Sequence, residues 1–183
     1  MSTARLYLAG FEVFAPDGEQ RATRMREIVI ASGLEPLSPL DGDKSTNLDE
    51  LSGHDLAMAI FRINVEMIER ADVVVGNLNP FRGPDPDAGT CWEVGYGHGR
   101  GKATYVYTEG PRTAIERTEQ LYPPVTRRED GSAVDRDQMT IENFGHPFNL
   151  MLACCGTYVH GDFAECIRTV AADVAAGKVP VQA

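Results

Sequence analysis

Two patterns of apolar residues alternate along this chain, from its amino to its carboxyl end. Short β-prone runs predict strands over residues 5–8, 34–40, 73–75 and 103–107. Longer stretches, in which an apolar residue returns every third or fourth position, predict helices over residues 20–32, 51–70, 91–99 and 163–176. The run of valines that begins at Val73 has no polar alternation, which is typical of a central strand covered on both faces.

Strands that alternate with helices build a mostly parallel sheet with helices on both faces. A chain of 183 residues buries one sizeable core but is short for two. The sequence therefore predicts a single-domain α/β fold over residues 1–183, doubly wound and flavodoxin-like. Two polar stretches depart from the alternation. We expect a loop over residues 41–47, and an insertion or mobile excursion over the charged, turn-rich residues 112–143.

The formal net charge of −10 and a sequence pI near 4.8 narrow the range of partners. A nucleic acid or an anionic membrane would be repelled over most of such a surface, so we expect neither. The chain has no run of about 18 apolar residues, and its start lacks the features of a secretory signal. We expect a cytoplasmic protein whose substrate is small and either neutral or cationic.

The residues that commonly bind metals and cofactors are poorly placed for either role. The histidines are scattered without metal-ligand spacing, at His54, His98, His146 and His160. The alternating glycines over residues 95–101 match neither a dinucleotide fingerprint nor a phosphate-binding loop. We therefore predict no metal and no cofactor.

Acidic residues are concentrated after the valine strand, where ligands bind in open parallel sheets. Asp85, Asp87 and Glu93 lie there among glycines such as Gly89, which allow a backbone to approach a ligand closely. On one continuous helix Asp87 and Glu93 would be about 240° apart, so they converge only if Asp87 precedes the helix. A helix that starts at Gly89 and Thr90 would place Glu93 in its first turn, where the helix dipole keeps a carboxylate ionised.

A purely structural interpretation of these residues stays open. Thr90 and Glu93 have the spacing of a capping box, in which Glu93 would bond back to the start of its own helix. Asp85 and Asp87 are common turn residues.

Three separated blocks, taken together, resemble the nucleoside 2-deoxyribosyltransferase family. They are LYLAG followed by VF-x-PDG (residues 6–10 and 13–18), the stretch PFRGPDPDAGTCWEVG (80–95), and GHPFNLML (145–152). The blocks occur in the family's order and span most of the chain. The resemblance implies an enzyme that cleaves the N-glycosidic bond of a 2′-deoxynucleoside and passes the sugar to another free nucleobase.

By that resemblance, Glu93 is the nucleophile that attacks the anomeric carbon of the sugar. A carboxylate suits this task because it stabilises an oxocarbenium-like transition state before it forms a covalent glycosyl-enzyme. The family also implies that the Tyr7 hydroxyl positions this carboxylate and that Phe14 packs against the base. The residues alone favour an ordinary strand aromatic at Tyr7 and leave Phe14 open as a core residue.

The group that protonates the leaving base stays open. Asp87 lies where family members keep an acid that contacts sugar or base, and Asp85 is a second possibility. Some relatives carry another acid on the helix before the valine strand, where this chain has Asn64, whose amide bonds the base but is no acid. Asp72 begins its strand at the opposite edge of the sheet, so we assign it a structural role.

The block that contains Asn149 and Met151 implies a homo-oligomer, because in this family it reaches into a neighbouring subunit's active site. Asn149 would bind the sugar hydroxyls or the nucleophile, and Met151 would line the base pocket. The local pattern alone predicts an apolar helix start capped by Asn149.

Two other functions compete with transfer. A nucleoside or deoxynucleoside monophosphate N-glycosidase would use water in place of the acceptor base. The first loop offers Glu12 and Asp17, which disfavours a phosphorylated substrate. A non-catalytic nucleotide-binding module would not need Tyr7, Asp87 and Glu93 together.

Overall fold

The computed structural model describes residues 3–39 and 48–181. Its strands are β1 (Arg5–Ala9), β2 (Glu35–Leu37), β3 (Val73–Asn77), β4 (Ala103–Thr108), β5 (Thr126–Arg127), β6 (Ala133–Val134) and β7 (Thr157–His160). Its helices are α1 (Gly18–Ala31), α2 (Gly53–Arg70), α3 (Ala88–Gly99), α4 (Ala114–Leu121), α5 (Leu150–Ala153) and α6 (Phe163–Ala175). Short 3-10 turns occupy Phe11–Phe14 and Leu48–Glu50. Within the described residues, no helix combines the length and apolar character needed to cross a membrane.

The central sheet has five parallel strands in the order β2-β1-β3-β4-β7. Side chains alternate across it, so Val73 and Val75 face one core while Val74 faces the other. Helices α1 and α6 cover the first face, and α2, α3 and α5 cover the second. The predicted α/β fold with helices on both faces is confirmed.

The order of the strands reverses direction between β1 and β3, where Tyr7 is in register with Val74. At such a reversal the connections diverge to opposite faces and leave a crevice at the carboxyl ends of the strands. Helix α3 lies close to the sheet beside this crevice, because it crosses β3 at a glycine. A Cβ added to Gly97 would lie 2.5 Å from Val74 Cγ2.

Residues 112–143, where the pattern predicted no element, contain α4 and the antiparallel hairpin β5–β6. Ile115, Ala133 and Val134 are buried, so this segment packs onto the rest of the chain. The edge strand β7 was not predicted either, because it spans only four residues. The expected loop over residues 41–47 and the end of the second predicted strand at Leu40 lie outside the described residues.

Candidate active site

The candidate site is built around the carboxylate of Glu93 on α3. The hydroxyl of Tyr7, in β1, donates a hydrogen bond of 2.6 Å to Glu93 Oε1. The amide of Asn64, on α2, donates to the same oxygen at 3.4 Å. Two elements distant in sequence, β1 and α2, therefore hold the carboxylate that α3 carries. The carboxylate lies beside the crevice at which the strand order reverses.

Burial changes the acid–base properties of this pair. Burial raises the pKa of the Glu93 carboxyl to about 7, and the negative charge of Asp87 acts in the same direction. The hydrogen bonds from Tyr7 and Asn64 oppose this increase because they favour the ionised carboxylate. Burial and the neighbouring carboxylate raise the pKa of Tyr7 well above its usual range. The phenol therefore stays protonated and donates to Glu93. Strongly perturbed groups of this kind are typical of functional sites.

The start of α3 differs from the sequence-based expectation. The helix begins at Ala88, and its N-cap is Asp87, whose Oδ2 accepts from the backbone N–H and the hydroxyl of Thr90 at 2.8 and 3.0 Å. The capping box between Thr90 and Glu93 is therefore absent, since Asp87 supplies the cap and Glu93 turns toward Tyr7. Placing Glu93 in the first turn was wrong. It lies in the second turn, where the helix dipole acts on it less.

The other residues of this loop lie around the cap. Asp87 precedes the helix, which was the condition for it to converge with Glu93, and its charge acts on the Glu93 carboxyl. Asp85 is exposed, and its backbone carbonyl accepts from the N–H of Phe81 at 2.9 Å. Gly89 is exposed in the first turn of α3, where an added Cβ would lie 3.1 Å from Asp87 Oδ2. A side chain at position 89 would crowd the cap.

Phe14 belongs to an aromatic cluster formed by Phe11, Phe14 and Phe81. Phe14 is 60% exposed, so it is not a core residue. Its ring stacks on Phe81 at a centroid distance of 5.5 Å, and Phe81 stacks on Phe11 at 5.2 Å. The guanidinium of Arg82 lies 4.6 Å from the Phe81 centroid. The cluster joins the loops that follow β1 and β3 and offers flat apolar surface at the crevice.

Asn149 and Met151 are not bonded to this carboxylate within the described chain. Asn149 caps α5 through the N–H of Met151 at 2.9 Å, and its amide donates to Glu142 Oε1 at 2.6 Å. Met151 is 71% exposed, and Phe144, which directly precedes the block over residues 145–152, is 65% exposed. The capping role expected of Asn149 from the local pattern is confirmed, and Asn149 and Met151 are exposed although Phe148 beside them is buried.

A cleft of about 610 Å³ opens beside the site and not at Glu93. Asp85, Arg117 and Asn149 line it, whereas Tyr7 and Glu93 are not among its described lining residues. Volume alone would place the function in this cleft. Glu93 is the stronger candidate for the reactive group, because a carboxylate with a perturbed pKa and an oriented donor is a more specific sign of reactivity than cleft volume.

The sequence-based reasoning missed Arg117 and Glu142. Arg117, on α4, is buried, and Glu142 holds the amide of Asn149. One signal could have revealed α4: Thr113 and Glu116 form the capping box that starts this helix. That signal lies inside the charged segment, residues 112–143, for which the sequence predicts an insertion.

Asp72 has the structural role expected of it. It is 2% exposed, and its carboxylate accepts from the backbone N–H of Arg5 at 2.9 Å and pairs with the Arg5 side chain at 3.3 Å. Over residues 3–39 and 48–181, no group of three or more His, Cys, Asp or Glu side chains could hold a metal ion.

Comparison with known proteins connects this geometry to a family. A family model described as nucleoside 2-deoxyribosyltransferase matches residues 6–151. A solved 2-deoxyribosyltransferase from Leishmania mexicana is 31% identical, and the match covers 92% of this chain and 97% of that one with a TM-score of 0.71. A 2-deoxyribosyltransferase from Bacillus psychrosaccharolyticus shares the fold at 22% identity, over 65% of this chain and 83% of that one, with a TM-score of 0.50. An uncharacterised protein of Schizosaccharomyces pombe is 29% identical over 188 residues, covering 93% of this chain and 88% of the yeast protein.

Proposed function

Because this chain belongs to the nucleoside 2-deoxyribosyltransferase family, we propose that it transfers the 2-deoxyribosyl group between nucleobases through a covalent glycosyl-Glu93 intermediate. The observation that carries the proposal is the hydrogen bond of 2.6 Å from the Tyr7 hydroxyl to Glu93 Oε1. It orients a carboxylate beside the crevice in which an open α/β sheet binds its ligands.

In the first step, Glu93 attacks the anomeric carbon as the bond from that carbon to the base nitrogen breaks. Tyr7 and Asn64 both donate to Oε1, so Oε2 is the oxygen that forms the glycosyl ester. The electron pair of the broken bond stays on the base, which takes up a proton. Asp87 is the favoured proton donor, since it is next to Glu93 and only its Oδ2 is engaged by Thr90. Asp85 is the second candidate.

In the second step, an acceptor base attacks the anomeric carbon and Glu93 leaves as a carboxylate. The proton released by the acceptor base returns to the acid, which restores the starting state. Two inversions give retention, so the product is the β-nucleoside. The aromatic cluster supports base exchange because a flat ring surface stacks with several bases without reading their edges.

The test measures base release from 2′-deoxyinosine and thymidine, with and without adenine as acceptor. We expect release that depends on the acceptor, with parallel initial-rate lines at several acceptor concentrations. Release without acceptor dependence would mean a hydrolase, and no release would leave a nucleotide-binding module.

The covalent step is tested separately with a 2-fluoro-2-deoxyarabinosyl nucleoside, which should leave a sugar adduct on the peptide that contains Glu93. Glu93→Ala should remain folded, lose nearly all exchange and form no adduct. Glu66→Ala, on the exposed face of α2, is the matched control and should behave as wild type. An adduct on another peptide would reject Glu93 as the nucleophile.

We further propose that the active form is a homo-oligomer in which the block around Asn149 completes the site of a neighbouring subunit. Two observations support this: Met151 and Phe144 are 71% and 65% exposed, and Asn149 makes its side-chain hydrogen bonds to Glu142 and Met151 rather than to Glu93. In the partner's site Asn149 would bind the sugar hydroxyls or the nucleophile, and Met151 would line the base pocket.

Complementation tests this arrangement. Glu93→Ala and Asn149→Ala should each be nearly inactive, and their co-refolded mixture should regain activity in mixed oligomers. In a dimer with random mixing, about half of the molecules are mixed and each has one intact site, so roughly a quarter of wild-type activity returns. No recovery after demonstrated subunit exchange would place Asn149 in its own subunit's site.

A further inference from the structure

Arg117 is a buried cation, and within the part of the chain that the structure describes its hydrogen bonds all end on uncharged oxygens. It is 1% exposed on α4. Its guanidinium donates to the carbonyls of Leu78 and Pro84 at 3.1 and 3.3 Å and to the hydroxyl of Thr108 at 2.8 Å. Its Nε has no hydrogen-bond partner among the described residues. Burial lowers the pKa of Arg117, and a charge buried without a bonded carboxylate is a poor source of stability. The role of Arg117 therefore lies in the segments that its hydrogen bonds hold in place.

The acceptors of these bonds lie on two neighbouring segments of the crevice. Leu78 directly follows β3, Pro84 lies further along the same loop, and Thr108 is the last residue of β4. A planar guanidinium reaches such divergent oxygens at once, which the single ammonium of a lysine does not do in the same geometry. Arg117 therefore ties two points of the loop over residues 78–87 to the end of β4.

A chain of hydrogen bonds continues from this point toward β1. The Thr108 hydroxyl donates to Asn79 Oδ1 at 3.0 Å, and the Asn79 amide donates to Asn77 Oδ1 at 2.9 Å. The Asn77 amide donates to Glu12 Oε1 at 2.6 Å. The bonds link the carboxyl ends of β4 and β3 to the loop after β1, and Arg117 is the buried cation at one end of that chain.

We propose that Arg117 is a positioning residue that fixes the loop over residues 78–87, and with it the side of the site that receives the base. The loop carries Phe81 of the aromatic cluster and the acids Asp85 and Asp87, whereas Glu93 is held independently by Tyr7 and Asn64. The expected effect of Arg117 on catalysis rests on the function proposed above. The expected effect of Arg117 on the loop is independent of that function.

The loop is tested without any substrate by limited trypsin digestion, since Arg82 is an exposed arginine within it. Cleavage after Arg82, followed by mass spectrometry, should be at least about tenfold faster in Arg117→Met and faster in Arg117→Lys, because the loop opens locally when its bonds are lost. Val170→Ala, on the buried face of α6, is the control for a general loss of stability. It should not change the rate of cleavage after Arg82. Equal cleavage in all four proteins would overturn the proposal.

If Arg117→Met does not fold, Thr108→Val replaces it. This nearly isosteric change removes one acceptor of the guanidinium and the donor to Asn79. It should accelerate cleavage after Arg82 by severalfold relative to wild type. No acceleration in a folded Thr108→Val protein would also overturn the proposal.

The catalytic part compares two substrates for Arg117→Lys. The base of 2′-deoxyinosine needs a proton to leave, whereas the base of 7-methyl-2′-deoxyguanosine departs without one. A displaced acid should lower kcat/KM for 2′-deoxyinosine by about 10- to 100-fold and leave the methylated substrate much less affected. Equal losses on both substrates would reduce Arg117 to a structural residue. If wild type acts on neither substrate, the proposed function fails while the digestion result still decides the role of Arg117.

Discussion

Removing the Tyr7 hydroxyl should move the pH dependence of the reaction to higher pH. Tyr7→Phe keeps the ring in its buried position but deletes the donor that lies 2.6 Å from Glu93 Oε1. That bond favours the ionised carboxylate and opposes the burial that raises the pKa of Glu93 to about 7. Without it the carboxyl holds its proton more tightly, so less of the enzyme has a nucleophile at neutral pH.

The magnitude follows from the strength of the bond. A buried hydrogen bond to a charged group contributes about 1.5–3 kcal/mol, and 1.36 kcal/mol corresponds to one pH unit. The pKa of Glu93 should therefore rise by about one to two pH units in Tyr7→Phe. At pH 7 the ionised fraction would fall from about one half to between about one tenth and one hundredth.

The assay is kcat/KM for deoxyribosyl exchange from about pH 5 to about pH 9.5, because this ratio reports ionisations of the free enzyme. The activity of wild type should rise with pH through about 7, since Glu93 acts as an anion. The same limb should lie at a pH about one to two units higher in Tyr7→Phe.

Tyr96→Phe is the matched control, because the Tyr96 hydroxyl also donates to a carboxylate, that of Glu69, away from the site. Its pH profile should match wild type. Coincident acid limbs in wild type and Tyr7→Phe would refute the reasoning that Tyr7 sets the ionisation of Glu93.

Two further pairs of substitutions test the proton donor and the packing of α3. Asp87→Asn keeps an N-cap of equal quality for α3, so the variant should stay folded. Its exchange activity should fall by about 10²–10⁴-fold, the range of general acid catalysis. A larger loss of exchange activity in Asp85→Asn would identify Asp85 as the acid. Gly97→Ala places a Cβ 2.5 Å from Val74 Cγ2 and should lower the free energy of unfolding by about 1–3 kcal/mol in urea titration. An added Cβ at Gly95 meets no atom of another described element within 4 Å, so Gly95→Ala should be neutral or stabilising by up to about 1 kcal/mol. Equal losses in the two glycine variants would contradict the close contact of α3 with β3.

The fold was largely predictable from the sequence because its elements leave strong local patterns. The apolar spacing of α2 marked the longest helix to within two residues of its observed start, and the valines of β3 marked a strand buried on both faces. The short elements were missed. Helix α4 has eight residues and β7 has four, too few for a periodic pattern to stand out from a charged or turn-rich segment.

The sequence by itself also determined which residues to examine, since Glu93, Asp87 and Tyr7 lie within separated blocks whose order resembles one family. Only the tertiary structure decided how those residues interact. Thr90 and Glu93 have the spacing of a capping box, yet Asp87 caps the helix and Glu93 bonds to Tyr7, 86 positions away in the chain. Local spacing limits which hydrogen bonds a helix start can make. Which of these bonds forms depends on partners that come within reach only when α3 packs against β1. The same holds for Arg117, whose acceptors come from β4 and from the loop after β3. A sequence shows a charge in a polar segment, and the burial of that charge is a property of the folded chain alone.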